Sequence, residues 1–405
     1  MQSSNVLFAR QPIYDIQLNV AAYELLFRPA LHEQGEWDGD NATSQLVLNA
    51  FTEFGIDKAV DNKRAFINFT RNWLLSPPPF DAHFVTVEIL ESVEPDAEAV
   101  NAARRLAQQG FTIALDDFVF DDKWHDMLQV AHIVKVDVME HQGKALEKLV
   151  RQLAPYPVKL LAEKVEDHQV FEHCKSLGFD YFQGYFLCRP QNIHGGTLPS
   201  NKIVVMRLLA ELQDPEVQIQ GLEKLISNDI SLSTKLLRIC NTARYATRIK
   251  IESIRKAMVL IGLQALKQWA AIIALSRMAD KPSSLVTLTL CRAHMMELLA
   301  HEANLPERES YFTIGMFSFI DAFFDQSKET LLQSLPFNDD VNRALLHYEG
   351  SAGRILQAVE AHERGDWNKI NWQELADLGI SQQQFENAYM DALCWAATIM
   401  QSLLE

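Results

Sequence analysis

The sequence predicts two domains of different class, an α/β barrel over residues 1–195 and an all-α domain over residues 201–405. Three observations lead there. Between residues 65 and 187, short runs rich in β-branched and aromatic residues alternate with segments of helical spacing, the pattern of βα units. Two earlier strand-like runs are joined by a link too short for a crossover helix, so they must pair antiparallel. Beyond a turn-rich stretch at 189–200 the strand-like runs stop.

Taken in order, residues 7–13 and 20–28 read as the opening antiparallel pair, separated only by Tyr-Asp-Ile-Gln-Leu-Asn. A helix over 42–56 follows, then strands at 65–70 and 84–90 and a helix at 96–109. The strand at 112–118 comes next, then a strand at 132–138, a helix at 142–153, a strand at 159–165, a helix at 167–177 and a strand at 181–187. Eight strands with helices between the later ones predict a modified TIM (β/α)8 barrel with an antiparallel first strand. The segment 189–200 (Arg-Pro-Gln-Asn-Ile-His-Gly-Gly-Thr-Leu-Pro-Ser) is dense in turn formers and marks the domain boundary. From residue 201 every apolar pattern is helical, with candidate caps at Ser227 with Asp229, Ser253, and Asp339 with Asp340. The aromatic residues Trp269, Phe312, Phe317, Phe319, Phe323 and Phe324 read as the core of that half.

Composition narrows the function. At 405 residues, 48% hydrophobic and 22% charged, the chain is an ordinary globular protein with room for two or three domains. A net charge of −16 argues against binding to nucleic-acid polymers or anionic membranes, both of which need basic surface. The acidity is concentrated in residues 1–200, where 17 Lys+Arg against 28 Asp+Glu leave −11. An anionic ligand bound there needs divalent cations as a bridge. The five cysteines are scattered with no C-x-x-C, as in a reducing compartment. With no basic-then-apolar leader and no apolar run near the ~18 residues of a membrane span, the expected location is the cytoplasm.

The chemistry gathers at the strand ends. The active site of a βα-barrel lies at the C-terminal ends of its strands. Those ends carry Glu24, Asn68, Glu88 with Glu91, Asp116 with Asp117, Lys135 with Asp137, Glu163 with Glu166, and Gln183. One acid at a strand end is an ordinary turn residue; recurrence over seven successive strands is not. Carboxylates with an amide oxygen, and neither Cys nor His, form a hard donor set suited to Mg²⁺ or Mn²⁺. Two such ions can clamp the attacking and leaving oxygens of a phosphate ester. A barrel with a Lys base and one Mg²⁺, abstracting a proton beside a carboxylate, uses the same residue types.

The ordered motifs decide between the two. Gln-Pro-Ile (11–13), Glu-Leu-Leu-Phe-Arg (24–28), Ile-Asn-Phe-Thr (67–70), Val-Glu-Ile-Leu-Glu-Ser (87–92), Ala-Leu-Asp-Asp-Phe (114–118), Val-Lys-Val-Asp (134–137), Ala-Glu-Lys-Val-Glu (162–166) and Gln-Gly-Tyr (183–185) together resemble an EAL domain. The resemblance implies metal-dependent hydrolysis of cyclic di-GMP to a linear dinucleotide. It implies Glu24, Asn68, Glu88 and Asp116 as ligands of a first metal, and Asp116, Asp117 and Glu163 as groups at a second metal and its water. Lys135 holds or activates that water, so Lys135, Glu163 and Glu24 are the implied catalytic groups. Gln11, Leu26, Arg28 and Gln183 are implied to line the dinucleotide, and Glu91 to brace the loop after the fifth strand.

Two positions depart from the family pattern. Leu25 stands where the signature has alanine, and Phe-Val-Phe-Asp-Asp-Lys-Trp-His-Asp (118–126) replaces a glycine-containing loop. That loop serves the second metal and a dimer contact in the family, so its change implies an alternative: a cyclic di-GMP receptor or protein-interaction scaffold without turnover, with a homodimer in question. Residues 221–243 and 253–269 are similar to HDOD domains, relatives of metal-dependent phosphohydrolases that lack the His-Asp dyad. No His-Asp pair occurs in 201–405, and His294, His301, His347 and His362 read as solvated or hydrogen-bonded side chains rather than ligands. The resemblance implies a bacterial signalling protein whose HDOD domain regulates the barrel or meets a protein partner.

Overall fold

The computed structural model describes residues 6–29, 60–190, 200–214, 219–241, 251–278 and 281–404. The chain divides into two compact units, Met1–Leu187 with Glu363–Gly365 and Cys188–His362 with Asp366–Glu405.

Eight strands close into a barrel in chain order: β1 (Val6–Asp15), β2 (Val20–Pro29), β3 (Arg64–Phe69), β4 (Val85–Ile89), β5 (Thr112–Leu115), β6 (Ile133–Asp137), β7 (Lys159–Glu163) and β8 (Tyr181–Gln183). β1 runs antiparallel to both its neighbours, as the short first connection predicts, and every other pair is parallel. The β1–β2 turn is tied by Asp15, whose Oδ1 accepts the Gln17 and Asn19 amides at 2.9 Å. The helix expected at 42–56 lies outside the described residues.

Side chains alternate across a strand, so every second residue enters the barrel. That parity builds layers. Glu24, Asn68, Glu88, Lys135, Glu163 and Gln183 occupy inward positions near the C-terminal ends of their strands. One period below them, Ala22, Phe66, Ala114, Ile133 and Leu161 join Ile13 in a buried apolar plug with Tyr181 packed against it. Below the plug come Arg64, Thr112 and Lys159. β4 and β6 are buried at all five positions, because their outer faces lie under the rest of the unit.

The connecting helices start where a side chain meets the first orphan amides. Asp96 accepts from Glu98 and Ala99 ahead of Ala97–Gln108, and Asp167 accepts from Val170 ahead of His168–Ser176. A short helix at Arg71–Leu75, capped by Thr70, has no counterpart in the sequence reading. Strands end one to four residues earlier than predicted from β3 on, and β5 and β8 fall short by the most. β5 stops at Leu115, although the Asp116 amide still bonds to Ile89 O at 3.0 Å. β8 stops at Gln183 because Gly184, at φ +145°, turns the chain into a 3₁₀ turn at Phe186–Cys188.

After residue 199 the described residues are helical, from Ser200–Gln213 to Gln382–Leu404, with no strand among them. Asp229 and Ser253 cap their helices as expected; at the third position Asn338 is the cap, and Asp339 and Asp340 fill the first turn. Trp269, Phe312, Phe317, Phe319, Phe323 and Phe324 are all buried. Arg292 is buried with them, its Nη1 2.8 Å from Glu360 and its guanidinium 3.7 Å from the centre of the Phe319 ring. His362 is buried with Nε2 3.1 Å from Glu386, and His294 sits 2.9 Å from Glu297 against Trp395. All five cysteines are described and none is in a disulfide. Among the described residues no helix is long and apolar enough to cross a membrane.

Gly184 is the tightest point next to the site. The Val165 amide bonds to Gln183 O and Val165 O accepts from Phe186, so a Cβ on Gly184 would run into the Val165 backbone. Gly184→Ala is expected to cost about 2–3 kcal/mol from the disallowed φ and the collision, read as a lower urea midpoint with unchanged slope.

Candidate active site

Lys135 is the centre of the C-terminal mouth. It is 1% exposed, and its ammonium contacts Glu88, Glu163 at 2.8 Å, Asp116 at 2.9 Å and Glu24 at 3.4 Å. The four acids come from β2, β4, β7 and the end of β5, so only barrel closure brings them to one amine. Gln183 reinforces one side: its Nε2 donates to Glu24 Oε2 at 2.6 Å and to Gln11 Oε1 at 2.9 Å.

Four carboxylates against one ammonium leave an excess of negative charge in a dry site, and the protonation equilibria respond. Burial pushes the Glu88 carboxyl well above the usual range despite Lys135. Burial likewise raises Glu163 to about 8; Lys135 opposes the shift and Asp116 and Glu24 add to it. Asp116 is half-buried, yet its ion pair and hydrogen bond with Lys135 outweigh the effect of burial and hold its carboxyl below the usual value. Burial works to lower the Lys135 pKa, but the surrounding carboxylates win and hold it well above an ordinary lysine. Lys135 is therefore a fixed cation in this cluster.

Two sets of three carboxylates have ligand oxygens within 4.8 Å of one another: Glu24, Glu88 and Glu163 in one, Glu91, Asp116 and Asp117 in the other. Asn68 Oδ1, Glu88 Oε2 and Glu163 Oε2 are buried without a hydrogen-bond partner. Buried acceptors with nothing to accept from are costly. Hard divalent cations would supply what such oxygens lack, and the donor set fits that class of ion. Asp116 and Asp117 divide as strand alternation requires: Asp116 turns in to Lys135, while Asp117, at φ +40°, is exposed beside Glu91.

The structure thus brings Glu24, Asn68, Glu88, Asp116, Lys135, Glu163, Gln11 and Gln183 to one mouth. Glu163 groups with Glu24 and Glu88, and Glu91 stands beside the aspartate pair. Leu26 is half-buried on β2. Arg28 is on the same strand, opposite Leu7, and its side chain lies outside the described residues. Sequence reasoning missed one pair. Lys164, at φ +55°, makes a close ion pair with Asp137 and acts electrostatically on Asp117 and Glu163. Its signal was its place between two acids in Ala-Glu-Lys-Val-Glu. His125-Asp126 stays apart from both acid sets, with His125 Nδ1 3.0 Å from the Tyr156 hydroxyl.

The altered loop is held by aromatic packing. Phe118 is buried against Trp124 at 5.8 Å and Phe120 at 6.4 Å between ring centres, and its amide bonds to Lys135 O at 3.2 Å. Val119 keeps a negative φ and points out, 58% exposed.

Residues 55–190 match the family model described as EAL domain, and residues 198–324 the one described as HDOD domain. The protein named Cyclic di-GMP phosphodiesterase CdgJ, from Vibrio cholerae serotype O1 (strain ATCC 39315 / El Tor Inaba N16961), is 35% identical over 401 residues, which are 96% of this chain and 92% of its own. The chain belongs to the EAL–HDOD family. Another relative is YuxH of Bacillus subtilis (strain 168), an uncharacterized protein, 32% identical over 411 residues, 98% of this chain and 99% of its own. The barrel is thus the EAL domain and the helical half contains the HDOD domain.

In the EAL domain, the raised Glu163 carboxyl has a consequence for stability. The unfolded glutamate titrates near 4.5 and the folded one near 8, so between those values the folded chain holds the extra proton. Stability is then lost as pH rises through that window. In EDTA, wild type should lose on the order of a few kcal/mol relative to Glu163→Gln between pH 5 and 8, measured by chemical denaturation. Parallel pH profiles would contradict it.

Proposed function

We propose that the EAL domain is a phosphodiesterase that opens cyclic di-GMP to the linear dinucleotide. The observation that carries this is the pair of carboxylate sets meeting at Lys135 in the C-terminal mouth. The name of the Vibrio cholerae relative, which aligns over nearly its whole length, supports the same reading.

In this reading Glu24, Asn68, Glu88 and Asp116 hold one divalent cation, Mg²⁺ or Mn²⁺, and Asp116, Asp117 and Glu163 hold the other. When bound, such ions lower the pKa of a water and neutralise charge on the phosphate. The chain's own groups do the rest. Lys135 keeps the carboxylates converged, and once cations share those acids an N–H it frees would hold a water at their centre. Gln183 fixes Glu24 from behind, and Lys164 offsets the charge of Asp117. Gln11, Leu26 and Arg28 lie along β1 and β2, where the dinucleotide would rest. An acidic mouth repels a dianion, so binding as well as turnover depends on the cations.

The loop after Asp117 supports turnover. Aromatic packing of Phe118 and Trp124 does there what glycine does in the family pattern, and it leaves Asp116 and Asp117 beside Glu91. The HDOD domain is proposed as the module through which a protein partner or ligand acts on the chain, in a cytoplasmic setting.

The test is incubation of the purified protein with cyclic di-GMP and Mn²⁺ or Mg²⁺, with chromatographic detection of the linear product. Product is expected, absent in EDTA, and reduced about a hundredfold or more in Glu24→Ala and Asp116→Ala, the loss typical of removing one electrostatic stabiliser. No product from wild type with either metal would sink the reading.

A further inference from the structure

The barrel has a second mouth. Below the apolar plug, the inward positions at the N-terminal ends of β3, β5 and β7 are Arg64, Thr112 and Lys159. With Thr86, His132 and Tyr181 they supply the polar lining of a cavity of about 370 Å³. The plug residues Ile13, Ala22, Phe66 and Ile133 form its apolar wall. None of the described residues lining it is acidic, although this half of the chain carries the larger share of the negative charge.

The donors are arranged rather than scattered. Arg64 Nη1 donates to Thr112 Oγ1 at 2.9 Å, which orients the guanidinium. Lys159 Nζ donates to the Tyr181 hydroxyl at 3.1 Å and lies 5.3 Å from that ring's centre. His132 Nδ1 accepts the Ile113 amide at 3.1 Å, so the ring proton of the neutral form is on Nε2. Burial, and then Arg64, lower the His132 pKa and favour that neutral form. Asp180 acts on Lys159 electrostatically, but its Oδ2 accepts the Leu160 amide at 3.0 Å.

Thr86 is the observation that points to a ligand. It is 0% exposed, it lines the cavity, and its hydroxyl has no hydrogen-bond partner. A buried hydroxyl left unpaired is unfavourable, and native structures rarely keep one without a reason. β-Branched valine fits the same strand position without that cost. A donor held at the bottom of a cationic recess with an apolar wall matches an anionic head on an apolar body.

We propose that the N-terminal mouth of the barrel binds a small organic anion, a carboxylate or phosphate monoester carried on an apolar or aromatic body. Arg64 and Lys159 meet the charge, Thr86 and His132 donate to the head group, and the body packs on the plug. The volume lies at the lower end of ligand pockets, about 300–1,000 Å³, which suits a single ring. The site is separate from the acidic mouth and does not rest on the reaction proposed there.

Calorimetric titration of the full chain in EDTA tests it, with benzoate and phenyl phosphate as probes and benzyl alcohol as the uncharged control. The two anions separate a carboxylate site from a phosphate site. Saturable binding of at least one anion is expected in EDTA, with none of the alcohol, and with the same affinity when the titration is repeated in Mg²⁺ with excess cyclic di-GMP present. Thr86→Val and Lys159→Gln should each weaken it at least tenfold; circular dichroism checks their fold, and Thr86→Val keeps the side-chain shape. No saturable binding of either anion, affinity unchanged in both variants, or displacement by the dinucleotide would each overturn the proposal.

Discussion

Everything at the C-terminal mouth depends on one buried ammonium. Lys135 is almost fully enclosed and reaches carboxylates contributed by four other strands or their ends, one of them 111 residues away in sequence. Each of those acids would be prohibitive alone in a dry interior. The amine makes the cluster tolerable without neutralising it, since four acids face one cation. Removing a partner from a buried ionic cluster typically costs about 3–5 kcal/mol, because the remaining charges stay buried. The cluster is thus a constraint on folding and a standing demand for more positive charge. The raised Glu88 and Glu163 carboxyls are that demand expressed as protons.

The sequence made the barrel legible through two local rules. Strand patterning placed Glu24, Asn68, Glu88, Lys135, Glu163 and Gln183 at or near the C-terminal ends of their strands, and a six-residue link made β1 antiparallel. What it could not supply was distance across the barrel. Glu163 lies with Glu24 and Glu88, and Glu91 lies with Asp116 and Asp117, because strand stagger and closure decide which oxygens approach. The Lys164–Asp137 pair depends on a positive φ at Lys164, which propensity does not foresee in a lysine. In the helical half, Asp229 and Ser253 were recognisable as caps. The choice of Asn338 over Asp339 turned on a single residue of offset, the scale on which helix ends are hardest to place.

The loop after Asp117 is held by different chemistry from a glycine-containing one. A glycine reaches unusual backbone angles at little steric cost. Here Asp117 itself takes the left-handed conformation, and the next residues are secured by burying Phe118 against Trp124. The anchor is ring packing instead of backbone freedom. The departure that looked most damaging in the sequence coexists with an assembled acid set.

The layering of the barrel also sets a reading frame. Along β6, Ile133 belongs to the plug and Lys135 to the acid layer, while Val134 and Val136 face outward. A strand has only two phases, so slipping by one residue exchanges the faces completely. Losing or gaining a single residue within β6 would present valine to four carboxylates and push a lysine into the apolar packing outside the barrel. Point substitutions at the outer positions alter packing by degrees, whereas a one-residue indel changes the phase of the whole strand. A length change in this domain is therefore tolerable in the connections and not in the strands, which act as fixed-length words whose spelling can drift but whose letter count cannot.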